Sequence, residues 1–126
     1  MRFRHPMANA LNHGSSGDGV AHWWAQRLSA IFLGLLTMWT VYALSVLAGS
    51  DYESARQWLS SPIQATVATL FVLTALYHAT LGLQVVIEDY IHQRALEVFL
   101  MVGIKLAAVI GAFVVVFSMF QIAVGG

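Results

Sequence analysis

The sequence predicts an all-α membrane protein with three transmembrane helices, and three observations carry that prediction. Of its 126 residues, 59% are hydrophobic and only 10% are charged. Mean hydropathy is +0.73, and a soluble fold of this length needs more polar surface to cover its core. Asp, Glu, Lys and Arg are absent from three stretches: Leu28 to Ser50, Gln57 to Ile87 and Leu106 to Gly126. Each is long enough for the roughly 20 residues that cross a hydrocarbon core of about 30 Å as a helix.

The first 24 residues are polar, bear Gly and Ser, and show no apolar period, so 1–24 reads as an N-terminal cytoplasmic arm, mobile or bound to a partner. The three-helix anchor occupies 25–126. Trp23-Trp24 marks a membrane interface, where amphipathic rings settle at headgroup depth, and the first span follows over about 26–48. This span is longer than the apolar core of a secretory signal and follows a long polar segment, so cleavage is not expected.

The stretch "GSDYESARQWLSS" then reads as a short turn that forces an antiparallel second helix, with Tyr52 and Trp58 in the opposite aromatic belt. Ser61-Pro62 is a helix start. Serine can cap, and proline at the first helical position gives up only an amide that would be unpaired. The second span covers about 62–87 or slightly more. After "EDYIHQRALE" the third runs over about 96–124, and in it Gly103, Ala107 and Gly111 form a small-residue stripe. Such a stripe serves bundle packing or the close approach of a flat ligand.

Lysines and arginines set the expected orientation. Arg2, Arg4 and Arg27 precede or open the first span, Arg56 follows it, and Arg94 follows the second. The bias puts the N-terminus and the Asp89 to Arg94 loop on the cytoplasmic or matrix side and the C-terminus on the periplasmic side. The chain has no cysteine, which excludes disulfides, thiolate catalysis and cysteine-held iron-sulfur clusters within it. Net charge is zero and no basic cluster suggests nucleic acid.

His78 is the candidate functional residue, because it lies far inside an uncharged run that stops at Glu88, Asp89 and Tyr90. At about 100° per residue, eleven residues make close to three turns, so His78 and Asp89 share a helix face, with Gln64 and Gly82. Their axial separation of roughly 16 Å prevents direct contact and implies two stations, one at depth and one at the interface. A histidine at such depth is neutral and hydrogen-bonded, or metal-bound. It can glue helices, relay protons or ligate a haem iron. Gly82, one turn on, removes a side chain where a porphyrin would lie.

The combination of His78 with Asp89-Tyr90 eleven positions on, the opening "HWWAQRLSA" from His22 to Ala30, the segment "YHATLGLQVVIEDYIH" and three spans resembles the smaller membrane-anchor subunits of succinate dehydrogenase, respiratory complex II, over nearly the whole chain. The resemblance implies an anchor in the bacterial cytoplasmic membrane that packs with a second, larger cytochrome b anchor subunit into a haem-binding helical bundle. It also implies iron-sulfur and flavoprotein partners, and electron transfer to ubiquinone in the tricarboxylic acid cycle and respiratory chain. No complete active site lies in this chain alone.

Residue by residue, the resemblance makes His78 an axial ligand of haem b, with the opposite histidine on the larger anchor subunit. Tyr90 donates a hydrogen bond to a ubiquinone carbonyl, Asp89 tunes that site or delivers protons, and Arg27 pairs with a haem propionate. Read by themselves, Asp89 is helix-end solvation, Tyr90 an aromatic-belt anchor and Arg27 a headgroup-facing cation. Ser29 is expected to point elsewhere on its helix and bond its own backbone. Lys105 is shallow enough to snorkel, with a propionate or lipid phosphate as a conceivable partner, and His22 and His92 read as interfacial.

Two other classes compete. One is a fumarate reductase anchor or other b-type cytochrome subunit. The other is a small transporter or assembly scaffold, which is disfavoured because no internal repeat or mid-span Gly/Pro break is evident.

Overall fold

A computed structural model describes residues 16–125, and side chains from 19 onward. Most of the expected N-terminal arm lies outside the described residues. All four described elements are helices: α1 Ser16–Leu47, α2 Tyr52–Ser60, α3 Pro62–Tyr90 and α4 Arg94–Val124. Three are long and apolar enough to cross a membrane, over Gly19–Leu47, Pro62–Tyr90 and Arg94–Val124. At 1.5 Å per residue α1 is roughly 48 Å long, well beyond the hydrocarbon thickness, so its ends reach the headgroup layers or the helix tilts.

α1 begins at Ser16, so residues 16–24, read from sequence as part of the arm, are helical. Its other end is closed by Gly49 at φ 83°, a left-handed conformation that glycine enters without a Cβ penalty.

The connection expected to be only a turn folds into α2. Asp51 caps it, accepting from the Ser54 N–H at 3.1 Å, and Glu53 in the first turn complements the helix dipole. Trp58 stacks on Trp39 of α1 with ring centroids 6.1 Å apart, so α2 is held against the spans. Trp58 is thus half-buried, while Tyr52 stays exposed. Arg56 Nη2 donates to the Gly125 carbonyl at 2.6 Å and ties α2 to the end of α4.

Pro62 opens α3 as its sequence position requires, but the Ser61 side chain makes no capping bond. Ser61 donates its N–H to the Trp58 carbonyl at 3.4 Å and serves as the C-cap of α2. α3 continues to Tyr90, so Asp89 and Tyr90 belong to its last turn.

The helices form a layer with α3 in the middle. α1 and α4 each pack along α3 and make no substantial contact with one another. Side chains on opposite faces of α3 serve the two neighbours: His78 meets α1, and Leu76 meets Gly111 of α4. Few side chains are sealed: among the described residues Leu36, Ala43, Ala65, Ala68, Leu81 and Ile87 are the buried apolar ones, and α4 buries none. A layer leaves two faces open to lipid or another protein. Of the two glycines in the small-residue stripe, Gly111 is the one pressed by a neighbour among the described residues. A Cβ there would sit 3.3 Å from Leu76 Cδ1, while Gly103 has open space.

Candidate functional site

The seam between α1 and α3 concentrates the polar groups of the spans. Apolar packing alone gives little preference for one helix face over another in lipid, because tails and side chains are equally apolar, so polar pairs decide which faces meet. Near one end, Trp39 Nε1 donates to Gln64 Oε1 at 3.0 Å. Further along, Ser29 Oγ lies 2.9 Å from His78 Nδ1. One turn beyond, Gln26 Nε2 lies 3.6 Å from where a Gly82 Cβ would stand. The shared face of Gln64, His78 and Gly82 therefore turns toward α1 of the same chain.

One expectation is corrected by this seam. Ser29 does bond its own backbone, donating to the Gln26 carbonyl at 3.1 Å, but it also faces His78. It is the one buried polar residue among those described, 8% exposed. The i−3 backbone bond holds the hydroxyl on the same side of α1 as Gln26, which is the side α3 occupies. The Gln26 amide also lies at ordinary contact distance from the Gly82 position, so within this chain Gly82 belongs to the seam between the two helices.

His78 is half-buried. Its Nδ1 is engaged by Ser29, while its Nε2 makes no hydrogen bond and is not sealed in among the described residues. The imidazole thus presents one nitrogen outward at a depth of twelve residues, roughly 18 Å, from the Tyr90 end of α3. No group of three or more His, Asp or Glu side chains among the described residues could hold a metal ion together.

Asp89 and Tyr90 close α3, both exposed, with Tyr90 at 76%. Glu88 accepts from Gln84 Nε2 at 2.9 Å, whereas Asp89 has no hydrogen-bond or ion-pair partner among the described residues. The last turn contains no basic residue. Two carboxylates at a helix C-terminus oppose the dipole, which favours cations there. Local helix physics does not account for Asp89, and such a departure from local consistency points to function.

Arg27 is exposed and lies 5.4 Å from the Trp23 ring centroid, a cation-π contact within α1. It has no carboxylate partner among the described residues, so its guanidinium edge remains available. Lys105 lines a groove between α3 and α4 with Tyr77 and Thr80, away from His78, which belongs to the opposite seam.

Sequence reading missed Gln26 and undervalued His22. Both are on the Ser29 side of α1, and His22 Nε2 and Gln26 Oε1 are buried without a partner among the described residues. The spacing 22, 26, 29 puts the three within about 60° of one another and was the available signal. Its meaning depends on which helix lies opposite.

The architecture is that of a small helical membrane anchor: three spans in an open layer, a mid-span histidine with a free ring nitrogen, and a polar pair at a helix end. The family model for the succinate dehydrogenase/fumarate reductase transmembrane subunit matches residues 1–120. The chain is 39% identical over 108 residues to the succinate dehydrogenase hydrophobic membrane anchor subunit of Rickettsia bellii, covering 86% of each chain. It is 32% identical over 119 residues to that of Rickettsia conorii, covering 94% of each. With that of Paracoccus denitrificans it shares 30% over 90 residues, 71% of this chain and 70% of the relative. No solved structure matches. The chain belongs to this family of succinate dehydrogenase and fumarate reductase transmembrane subunits.

Proposed function

We propose that this chain anchors succinate dehydrogenase in the bacterial cytoplasmic membrane, supplies one axial ligand to haem b, and forms part of the site where ubiquinone is reduced. The observation that carries the reading is His78: a mid-span imidazole with Nδ1 tied to Ser29 and Nε2 reachable from outside the chain. The donor set fits haem, since a neutral imidazole offers the lone pair iron takes and the open layer leaves room for a second anchor to bring the opposite ligand. When bound, haem supplies a one-electron store near the quinone site. Arg27 would meet a propionate, where a guanidinium can form two parallel hydrogen bonds.

Quinone reduction consumes two electrons and two protons, so the ring oxygens need donors at a wet interface while the isoprenoid tail needs lipid. Tyr90, at the end of a span, meets both demands by donating its phenol O–H to a quinone carbonyl. Asp89, unpaired beside it, passes protons from water to that oxygen. The Asp89 to Arg94 end then faces the cytoplasm, where an iron-sulfur subunit and a flavoprotein would dock, and the C-terminus faces the periplasm. The direction of dicarboxylate chemistry belongs to the flavoprotein.

The Ser29–His78 bond also favours a second reading, in which His78 only joins two helices. Purification through a tag on this chain, a dithionite-reduced spectrum and identification of co-purifying subunits test both. The anchor reading expects a b-type band and a flavoprotein partner, with His78→Ala abolishing the band while subunits remain attached. Tyr90→Phe is expected to lower quinone reductase activity about tenfold or more, by removal of one donor, with the haem spectrum intact. An unchanged band in His78→Ala would leave only the helix-joining role.

A further inference from the structure

We propose that Ser29 is the positioning residue for the His78 imidazole: its hydroxyl selects the tautomer that carries hydrogen on Nδ1 and so leaves Nε2 as the metal-donating nitrogen. The inference rests on His78 being the haem ligand.

A serine hydroxyl donates once. The Ser29 hydroxyl is 3.1 Å from the Gln26 carbonyl, which can only accept, and 2.9 Å from His78 Nδ1. If the hydroxyl hydrogen goes to the carbonyl, Oγ must accept from Nδ1, and the neutral ring then has a bare Nε2. The resulting chain, Nδ1–H to Oγ–H to O=C, uses every hydrogen in one direction, an arrangement in which each bond polarises the next. The opposite assignment would aim the hydroxyl at Nδ1 and put the ring hydrogen on Nε2, where no acceptor stands among the described residues and no metal could bind. Burial of Ser29 keeps water from competing for the same lone pairs.

The arrangement also has an electronic consequence. A hydrogen bond accepted from the far N–H of a ligating histidine fixes ring orientation and raises the basicity of the ligating nitrogen. A more basic ligand stabilises the ferric state and lowers the haem potential. Ser29 sits on α1 and His78 on α3, 49 residues apart in sequence, so the setting is made by helix packing.

The test uses the intact membrane complex carrying Ser29→Ala, Ser29→Cys, Ser29→Thr or His78→Ala. Haem content, midpoint potential and the EPR g values of oxidised haem are recorded for each. Ser29→Ala is expected to keep haem but favour the reduced state about fivefold, the worth of one typical hydrogen bond. For a one-electron couple this is roughly 40 mV upward. Ser29→Cys fills the same space with a weak acceptor, moves the potential in the same direction, and carries the test should alanine impair assembly. Ser29→Thr keeps a hydroxyl and restores the potential and g values. If Ser29→Ala and Ser29→Cys leave potential and g values unchanged while His78→Ala removes the haem, Ser29 has no positioning role although the ligand assignment survives. If His78→Ala keeps a normal haem spectrum, the ligand reading itself fails.

Discussion

Gly82 separates two accounts of the same helix face. On sequence grounds its missing side chain makes room for a porphyrin; in the structure that room is bordered by the Gln26 amide. A Cβ added at Gly82 meets Gln26 Nε2 at 3.6 Å, an ordinary van der Waals distance, and beyond its own stretch of helix nothing else among the described residues within 4 Å. Gly82→Ala therefore costs no steric energy inside the chain, and in a helix interior alanine gains up to about 1 kcal/mol over glycine. Gly82→Leu adds three further carbons that must displace the Gln26 amide, an overpacking that typically costs about 1–3 kcal/mol. The assay is thermal stability of the purified complex together with its reduced-minus-oxidised haem spectrum. The expected result is a normal spectrum with equal or higher stability for alanine, and lower stability for leucine. An assembled Gly82→Ala complex without haem would refute the reasoning, because it would mean that something other than Gln26 needs that space.

Other expectations concern the supports of the site. In a double-mutant cycle of Trp39→Phe and Gln64→Leu, scored by detergent-induced unfolding, the coupling should be about 0.5–1.5 kcal/mol, the range for an interhelical hydrogen bond in a membrane; additivity would show that the 3.0 Å contact contributes nothing. Gly111→Leu should weaken α3 against α4, since even a Cβ there presses on Leu76 at 3.3 Å, whereas Gly103→Leu, in open space among the described residues, should spare that contact; disulfide trapping between a pair of cysteines introduced on the two helices reads the difference. Arg56→Gln should free the end of α4 from α2 and speed amide exchange near Gly125. Hydrogen bonds from Ser54, its hydroxyl first and then its N–H, hold the Asp51 carboxyl below its usual value of 3.8. A depressed folded value means that the cap contributes above the unfolded value and is lost as pH falls through the folded one. Amide exchange in α2, corrected for its intrinsic pH dependence, should therefore quicken only below about pH 4, and Asp51→Asn should remove that dependence.

Much of the site could be read from the chain because its logic is one-dimensional. The charge-free gaps set three spans, since a fixed hydrocarbon thickness demands a minimum apolar length. Eleven residues between His78 and Asp89 put both on one side of α3 at separate depths, a property of the helix repeat alone. The start and middle connection were less legible. Residues 16–24 lack apolar periodicity, yet they continue α1. Residues 52–60 carry turn-like Ser and Tyr, yet Asp51 and Glu53 supplied the cap and first-turn acid that begin α2. Both stretches could be mistaken because propensity over nine residues is a weak signal, and Trp58 on Trp39 adds contact that lies outside the local window.

By itself, the sequence determined that this is a helical membrane protein, that His78 lies at depth, and that Asp89 and Tyr90 end its helix, because length, polarity and helical period follow from local chemistry. Only tertiary structure decided what His78 touches. An apolar surface in lipid has no strong preference among apolar neighbours, so neither the open layer around α3 nor the pairing of α1 with the His78 face could be computed from hydrophobic pattern. The polar side chains settled it: Trp39 with Gln64, and Ser29 with His78, each needing a partner that only one packing of the helices provides.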